Sequence, residues 1–179
     1  MSSITTIETP GLLSTVSHSA LIIGIDPGVH GAVAIIKAAT RELVDVINLP
    51  VLADGAKGRN VINAPLLASL IYKIHADRAF CEFVGPRPTD GSVAGFGFGR
   101  SRRIIVGVLA ACGVLVVMVA PPVWKRLHGI AAGTENKDSA RSVAIARWPQ
   151  HADLFARKSD IDRAEAALIG VAGLTREAR

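Results

Sequence analysis

Residues 21 to 36, LIIGIDPGVHGAVAII, contain one formally charged side chain, Asp26, in an apolar run broken by a glycine and proline turn. The pattern is that of two buried β-strands joined tightly, residues 20 to 26 and the returning HGAVAIIK. A carboxylate left alone at the end of a buried strand is costly, or is driven to its neutral form. Asp26 therefore needs a cationic partner, unless it caps the PGVHG turn.

The rest of the chain supplies a frame around that hairpin. RELVDVINLP alternates as a third strand, and VLADGAKGRN follows as a loop. NAPLLASLIYKIHA sets Leu66, Leu67, Leu70, Ile71 and Ile74 in a helical stripe, with Asn63 as N-cap and Pro65 in the first turn. RAFCEFVG is a fourth strand, parallel to the first across this helical crossover. PRPTDGSVAGFGFG is a loop running into a glycine-studded helix that continues through RSRRIIVGVLAAC; Gly113 ends it as the C′ residue, and VLVVMVA is the fifth strand. PPVWKRLHG makes a short helical turn, and NKDSARSVAIARWP and DIDRAEAALIGVAGL form the last two helices, separated by QHADLFARKS. Three antiparallel strands followed by alternating helices and strands is the order of a ribonuclease-H-like domain of the retroviral integrase superfamily, a mixed five-stranded α/β sheet flanked by helices. Other mixed folds share the bare order.

A chain of 179 residues fits one such domain, residues 20–179, behind a loosely ordered leader, residues 1–19, that has no secretory-signal pattern. Half the residues are hydrophobic but 4% are aromatic, so the core is built from Val, Ile, Leu and Ala. Cys81 and Cys112 lack metal-ligand spacing and read as buried thiols of a reducing cytoplasm. The uncharged run 104–120 approaches membrane-spanning length, but Gly113 divides it into a helix and a strand. Net charge is +5, and between Asp90 and Glu135 there is no acid, while Arg100, Arg102, Arg103, Lys125 and Arg126 all fall there. A patch of one sign points to a polyanion, nucleic acid first.

Three segments put acids where an α/β core would rather have none. Asp26 ends the first strand, Glu82 stands between Cys81 and Phe83 in the fourth, and Asp162 and Glu165 lie three apart on one face of the last helix. In the expected fold they converge. Carboxylates so close cannot all stay ionised without divalent cations, and oxygen ligands without His or Cys select Mg²⁺ or Mn²⁺. Two such ions about 4 Å apart would suit phosphodiester hydrolysis. Asp160 competes with Asp162, because SDID offers two acids, and either Asp160 or Ser159 can be the N-cap. His30 reads as a surface loop residue.

These residues resemble the RuvC-type Holliday junction resolvases, nearest the branch of phages, some bacteria and plant organelles. IGIDPGVHGAVAII is similar to the family's first motif, CEFVGPRP to its second, PPVWKRLHGI with NKDSAR to its middle block, and DIDRAEAALIGVAG to its last. The resemblance spans residues 21 to 173. It implies a cytoplasmic homodimer in DNA recombination and repair, nicking four-way junctions symmetrically with two divalent metals and no nucleotide cofactor, and leaving 5′-phosphate and 3′-hydroxyl ends. By motif position it makes Asp26, Glu82, Asp162 and Glu165 the metal ligands. In that branch the last motif often has two adjacent acids and a glycine before Arg-Ala; SDIDRAEA departs from this, which keeps Asp160 as an alternate. Arg100, Arg102, Arg103, Lys125, Arg126 and Lys137 would then bind phosphates, and Phe96 and Phe98 either stack on bases or pack under the long helix.

Other functions meet obstacles. GIDPG also opens ATPases of the actin and sugar-kinase type, which need two such domains and a second nucleotide loop. A non-catalytic junction-binding module has no use for the set of acids. A ribonuclease-H-like nuclease acting on other branched DNA or on RNA shares every feature above and is separated only by substrate.

Overall fold

The computed structural model describes residues 20–54, 58–83, 92–131 and 138–178. Strands β1 (Leu21–Asp26), β2 (Ala32–Lys37) and β3 (Leu43–Asn48) form the expected meander. A ribbon of β4 (Val51–Ala53) and β5 (Asn60–Ile62) leads to α1 (Ala64–Ile74) and β6 (Arg78–Glu82). Helix α2 (Ser92–Ala111), β7 (Leu115–Val119), α3 (Pro121–Leu127), α4 (Ser139–Arg147) and α5 (Ile161–Glu177) complete the order. The main sheet runs β3-β2-β1-β6-β7, with β1 antiparallel to β2 and parallel to β6. Expected and observed elements differ in two places. VLADGAKGRN is not wholly a loop, because Val51, Leu52 and Ala53 pair with Ile62, Val61 and Asn60. The segment between α4 and α5 coils into 3₁₀ turns at Pro149–Phe155 and Lys158–Asp160.

Local chemistry explains the boundaries. The β1–β2 turn closes through its own backbone, Gly31 N–H to the Gly28 carbonyl at 3.1 Å. A Cβ at Gly31 would lie 2.0 Å from the Asp26 carbonyl oxygen, so only glycine fits. Among the described residues the Asp26 carboxylate is acted on by burial and by neighbouring charges, with no turn amide among the causes, which argues against the turn-cap role for that side chain. Asn63 caps α1 by accepting from Leu66 N–H at 3.1 Å. Within the stripe of α1, Leu67 and Ile71 are buried, but Leu66 is 48% exposed and does not join the core. Helix α2 stops where glycine predicts: Gly113 has φ +74°, and Val114 N–H reaches the Leu109 carbonyl at 2.9 Å. Among the described residues no helix is long and apolar enough to cross a membrane.

The alternation of strand side chains sorts the core into two layers. Ile23, Ile25, Val33 and Cys81 face α1 and α2, meeting Leu67, Ile71, Ile105 and Leu109. Ile22, Ala34, Ile36 and Phe80 face the other way, against Trp124, α4 and α5. Gly24 shares the second face, and there α5 comes closest: a Cβ on Gly24 would lie 2.1 Å from the Ala166 carbonyl oxygen and 2.6 Å from Gly170 N. Gly173 similarly admits the Phe80 ring, whose Cδ1 would lie 2.0 Å from an added Cβ.

Gly24→Ala is therefore expected to destabilise by at least about 3 kcal/mol, since backbone on both sides must move. Gly113→Ala has open space around it and pays only for its left-handed backbone, about 1 kcal/mol. Urea midpoints of the two variants check the order; a larger loss for Gly113→Ala would refute the close helix–strand contact.

Candidate active site

Asp26 and Glu82 reach one place because their strands are in register. Gly24 pairs with Phe80 and Ile25 with Cys81, so the next residue on each strand carries an acid. By alternation both acids project on the face that Gly24 and Phe80 share, towards α5. Two rows along α5, at spacings of four, supply the other side. Asp162, Ala166 and Gly170 form the row that packs on Gly24, and Glu165, Ile169 and Gly173 the row that meets Phe80. The head of each row is an acid.

One carboxylate oxygen each from Asp26, Asp162 and Glu165 lie within 4.8 Å of one another. Such a group of hard oxygens can hold a divalent cation, and its electrostatics fit one. Burial pushes the Asp26 carboxyl well above its usual range, and the charges of Glu82, Glu165 and Asp162 push it further; Lys125 opposes them. Glu165 is raised to about 7, first by burial and then by Glu82, again against Lys125. Burial raises Asp162 as well, and His30 works the other way.

Glu82 stands outside that three-carboxylate group. It is 7% exposed, and its Oε1 accepts the indole N–H of fully buried Trp124 at 2.8 Å. The Lys125 ammonium lies 5.2 Å from the centroid of the same indole. Arg163 donates to Asn48 Oδ1 at 2.7 Å, tying the first turn of α5 to the end of β3. Asn48 is in register with Ala32, which is itself opposite Asp26.

The two candidate acids of SDID separate cleanly. Asp160 is the residue before α5, but its carboxylate caps nothing in that helix. It turns back to accept Arg157 N–H at 2.8 Å and the Arg157 guanidinium at 3.0 Å. Burial pushes Asp160 up, but those bonds from Arg157 outweigh it and leave the carboxyl below its usual range. Asp162 faces the cluster instead.

Around the acids, the expected basic residues fall into groups. On α2, Arg100 and Arg103 are exposed, whereas Arg102 is half-buried with its guanidinium 5.1 Å from the Phe83 ring centroid. Lys125 and Arg126 line an open groove with Gly129 and Ile130 at the end of α3. Phe96 and Phe98 lie on α2, but their side chains, like all of Lys137, are outside the described residues. Exposed His30 is a surface residue as expected, although its charge reaches Asp162. The residues that sequence reasoning missed are Trp124, Phe83, Asn48 and Arg163. Only Trp124 carried a signal, as one of two tryptophans in a chain poor in aromatics.

Sheet order and flanking helices match the ribonuclease-H-like fold of RuvC. The sequence matches no family model, and no curated protein matches it significantly. Among solved structures, "T. thermophilus RuvC in complex with Holliday junction substrate" aligns with TM-score 0.56 and 14% identity, covering 89% of this chain and 96% of that one. A second structure, of Thermus thermophilus RuvC, aligns with TM-score 0.52 and 12% identity, covering 88% and 96%. At such identities the likeness is one of fold.

Metal-free stability should follow the raised carboxyls. The folded protein binds the Glu165 proton more tightly than the unfolded chain, whose value is near 4.5, so this contribution favours folding at low pH and is lost as pH rises to about 7. Glu165→Gln should flatten the fall in melting temperature between pH 4.5 and 7 in chelator, a window set by the same two values. An unchanged slope would show that neither burial nor Glu82 raises Glu165 in the fold.

Proposed function

We propose that the chain is a structure-selective endodeoxyribonuclease that resolves four-way DNA junctions by metal-dependent phosphodiester hydrolysis. The carrying observation is the convergence of Asp26, Asp162 and Glu165 at the strand ends of a RuvC-like fold. Asp26, Glu82, Asp162 and Glu165 are assigned as ligands of two Mg²⁺ or Mn²⁺ ions, with Asp160 set aside because Arg157 holds it. When bound, such a pair supplies an activated water and a stabilised leaving oxygen, giving 5′-phosphate and 3′-hydroxyl ends. The protein's own part is positional. β1 and β6 fix two acids, the first turn of α5 brings the others over them, and Lys125 draws Asp26 and Glu165 towards the charged form that binds a cation.

Phosphates are assigned to Arg100, Arg102, Arg103, Lys125, Arg126 and Lys137, and base stacking to Phe96 and Phe98. Exposed Phe83, braced by Arg102, stands directly after Glu82 and extends that surface. Symmetric incision requires two sites, which a homodimer provides. The exposed small residues Gly107, Ala110 and Ala111 on α2, with Leu115 59% exposed, support a contact on that side.

A labelled synthetic junction tests the reading. With Mg²⁺, the protein is expected to make paired nicks at symmetric positions, and Asp26→Asn to reduce cleavage at least about a hundredfold while still binding the junction. Equal cutting of linear duplex, or preference for branched RNA, would replace the resolvase assignment with another nuclease of this fold.

Salt dependence tests the surface separately. Arg100→Ala with Arg103→Ala should weaken junction binding and lower the slope of log K against log salt by about 2, roughly one for each phosphate no longer neutralised. An unchanged slope would take both residues off the DNA path.

A further inference from the structure

The Glu82 carboxylate poses a problem that the cluster alone does not solve. It sits on a long side chain, is almost fully buried, and is repelled by the acids around it. A carboxylate so placed has several rotamers open to it. The indole N–H of Trp124, 2.8 Å from Oε1, selects one of them. Trp124 is 0% exposed and packed in the same core as Phe80, Ala164 and Leu168, so it cannot follow the carboxylate if that moves.

We propose that Trp124 is a positioning residue that holds Glu82 ready to share a cation with Asp26, Asp162 and Glu165. This rests on the metal-dependent reading above. An indole is a donor only and carries no charge, so this bond fixes one orientation of Oε1 without adding charge at that point. Donors behind metal ligands typically change affinity by about tenfold or more when removed.

The chain has two tryptophans, which makes the test internal. Trp148 donates its indole N–H to the Arg41 carbonyl at 3.2 Å and serves as the control. In ¹⁵N-labelled full-length protein, Mg²⁺ is expected to move the Trp124 indole resonance and leave that of Trp148 in place. By calorimetry, Trp124→Phe should weaken Mg²⁺ binding about tenfold, and adding it to Glu82→Gln should cost nothing further. Unchanged Mg²⁺ affinity in Trp124→Phe, or fully additive losses in the double variant, would reduce Trp124 to a core filler. If Trp124→Phe does not fold, the native protein decides, because a Trp124 resonance indifferent to saturating Mg²⁺ overturns the proposal. A native chain that binds neither Mg²⁺ nor Mn²⁺ overturns the nuclease reading together with it; one that binds metal and cleaves with a silent Trp124 resonance overturns the positioning role alone.

Discussion

The contact between Gly24 of β1 and Gly170 of α5 sets the geometry on which the site depends. A Cβ on Gly170 would lie 3.1 Å from the Gly24 Cα and 2.7 Å from Ile36 Cδ1, so helix and strand meet backbone to backbone. Any larger residue would lift α5 from the sheet. The lift would be felt eight residues away at Asp162, about 12 Å up the helix axis. Because Gly173 seats the helix on Phe80 in the same manner, the two rows of α5 are pinned to the two strands that end in acids. Packing in the core thus becomes carboxylate spacing at the surface of the sheet.

That spacing is held against electrostatics. Burial raises Asp26, Glu165 and Asp162, repulsion from neighbouring acids adds to it at Asp26 and Glu165, and Lys125 opposes the rise at those two while His30 opposes it at Asp162. Among the described residues Lys125 forms no salt bridge with Asp26, Asp162 or Glu165. The contrast with Asp160 is instructive, since there Arg157 supplies a bonded guanidinium and the carboxyl falls below its usual range. The chain can therefore neutralise a buried acid where it needs to. Among the described residues Asp26, Asp162 and Glu165 have no such bonded guanidinium, and such a group of carboxylates could hold a cation.

Much of this was legible in the sequence because it depends on short periods. An apolar strand ending in Asp26, a second with Glu82 at the same end, and two acids three apart on a helix need only alternation and helical spacing to be placed. Choosing between Asp160 and Asp162 needed more, because a shift of two residues at the start of a helix leaves composition unchanged. The row Asp162, Ala166 and Gly170 decides it, but which glycine meets Gly24 is a tertiary fact. Trp124 is 42 residues from Glu82, and no local pattern joins them. The β4–β5 ribbon escaped for a different reason: with three residues in each strand, it is too short for alternation to register.

The fold by itself would not make this chain a nuclease, since domains of one architecture serve many chemistries. The glycine contacts and the two core layers would survive if Asn stood at 26 and Gln at 165, because neither acid is part of the packing that joins α5 to the sheet. Those substitutions would relieve repulsion and raise stability without metal. A chain shaped only by the need to fold, or only to bind a junction, has no reason to keep such residues at the one place where they oppose folding. Their presence at the ends of two strands and the head of one helix, within reach of one cation, is what turns a likeness of fold into an argument for hydrolysis.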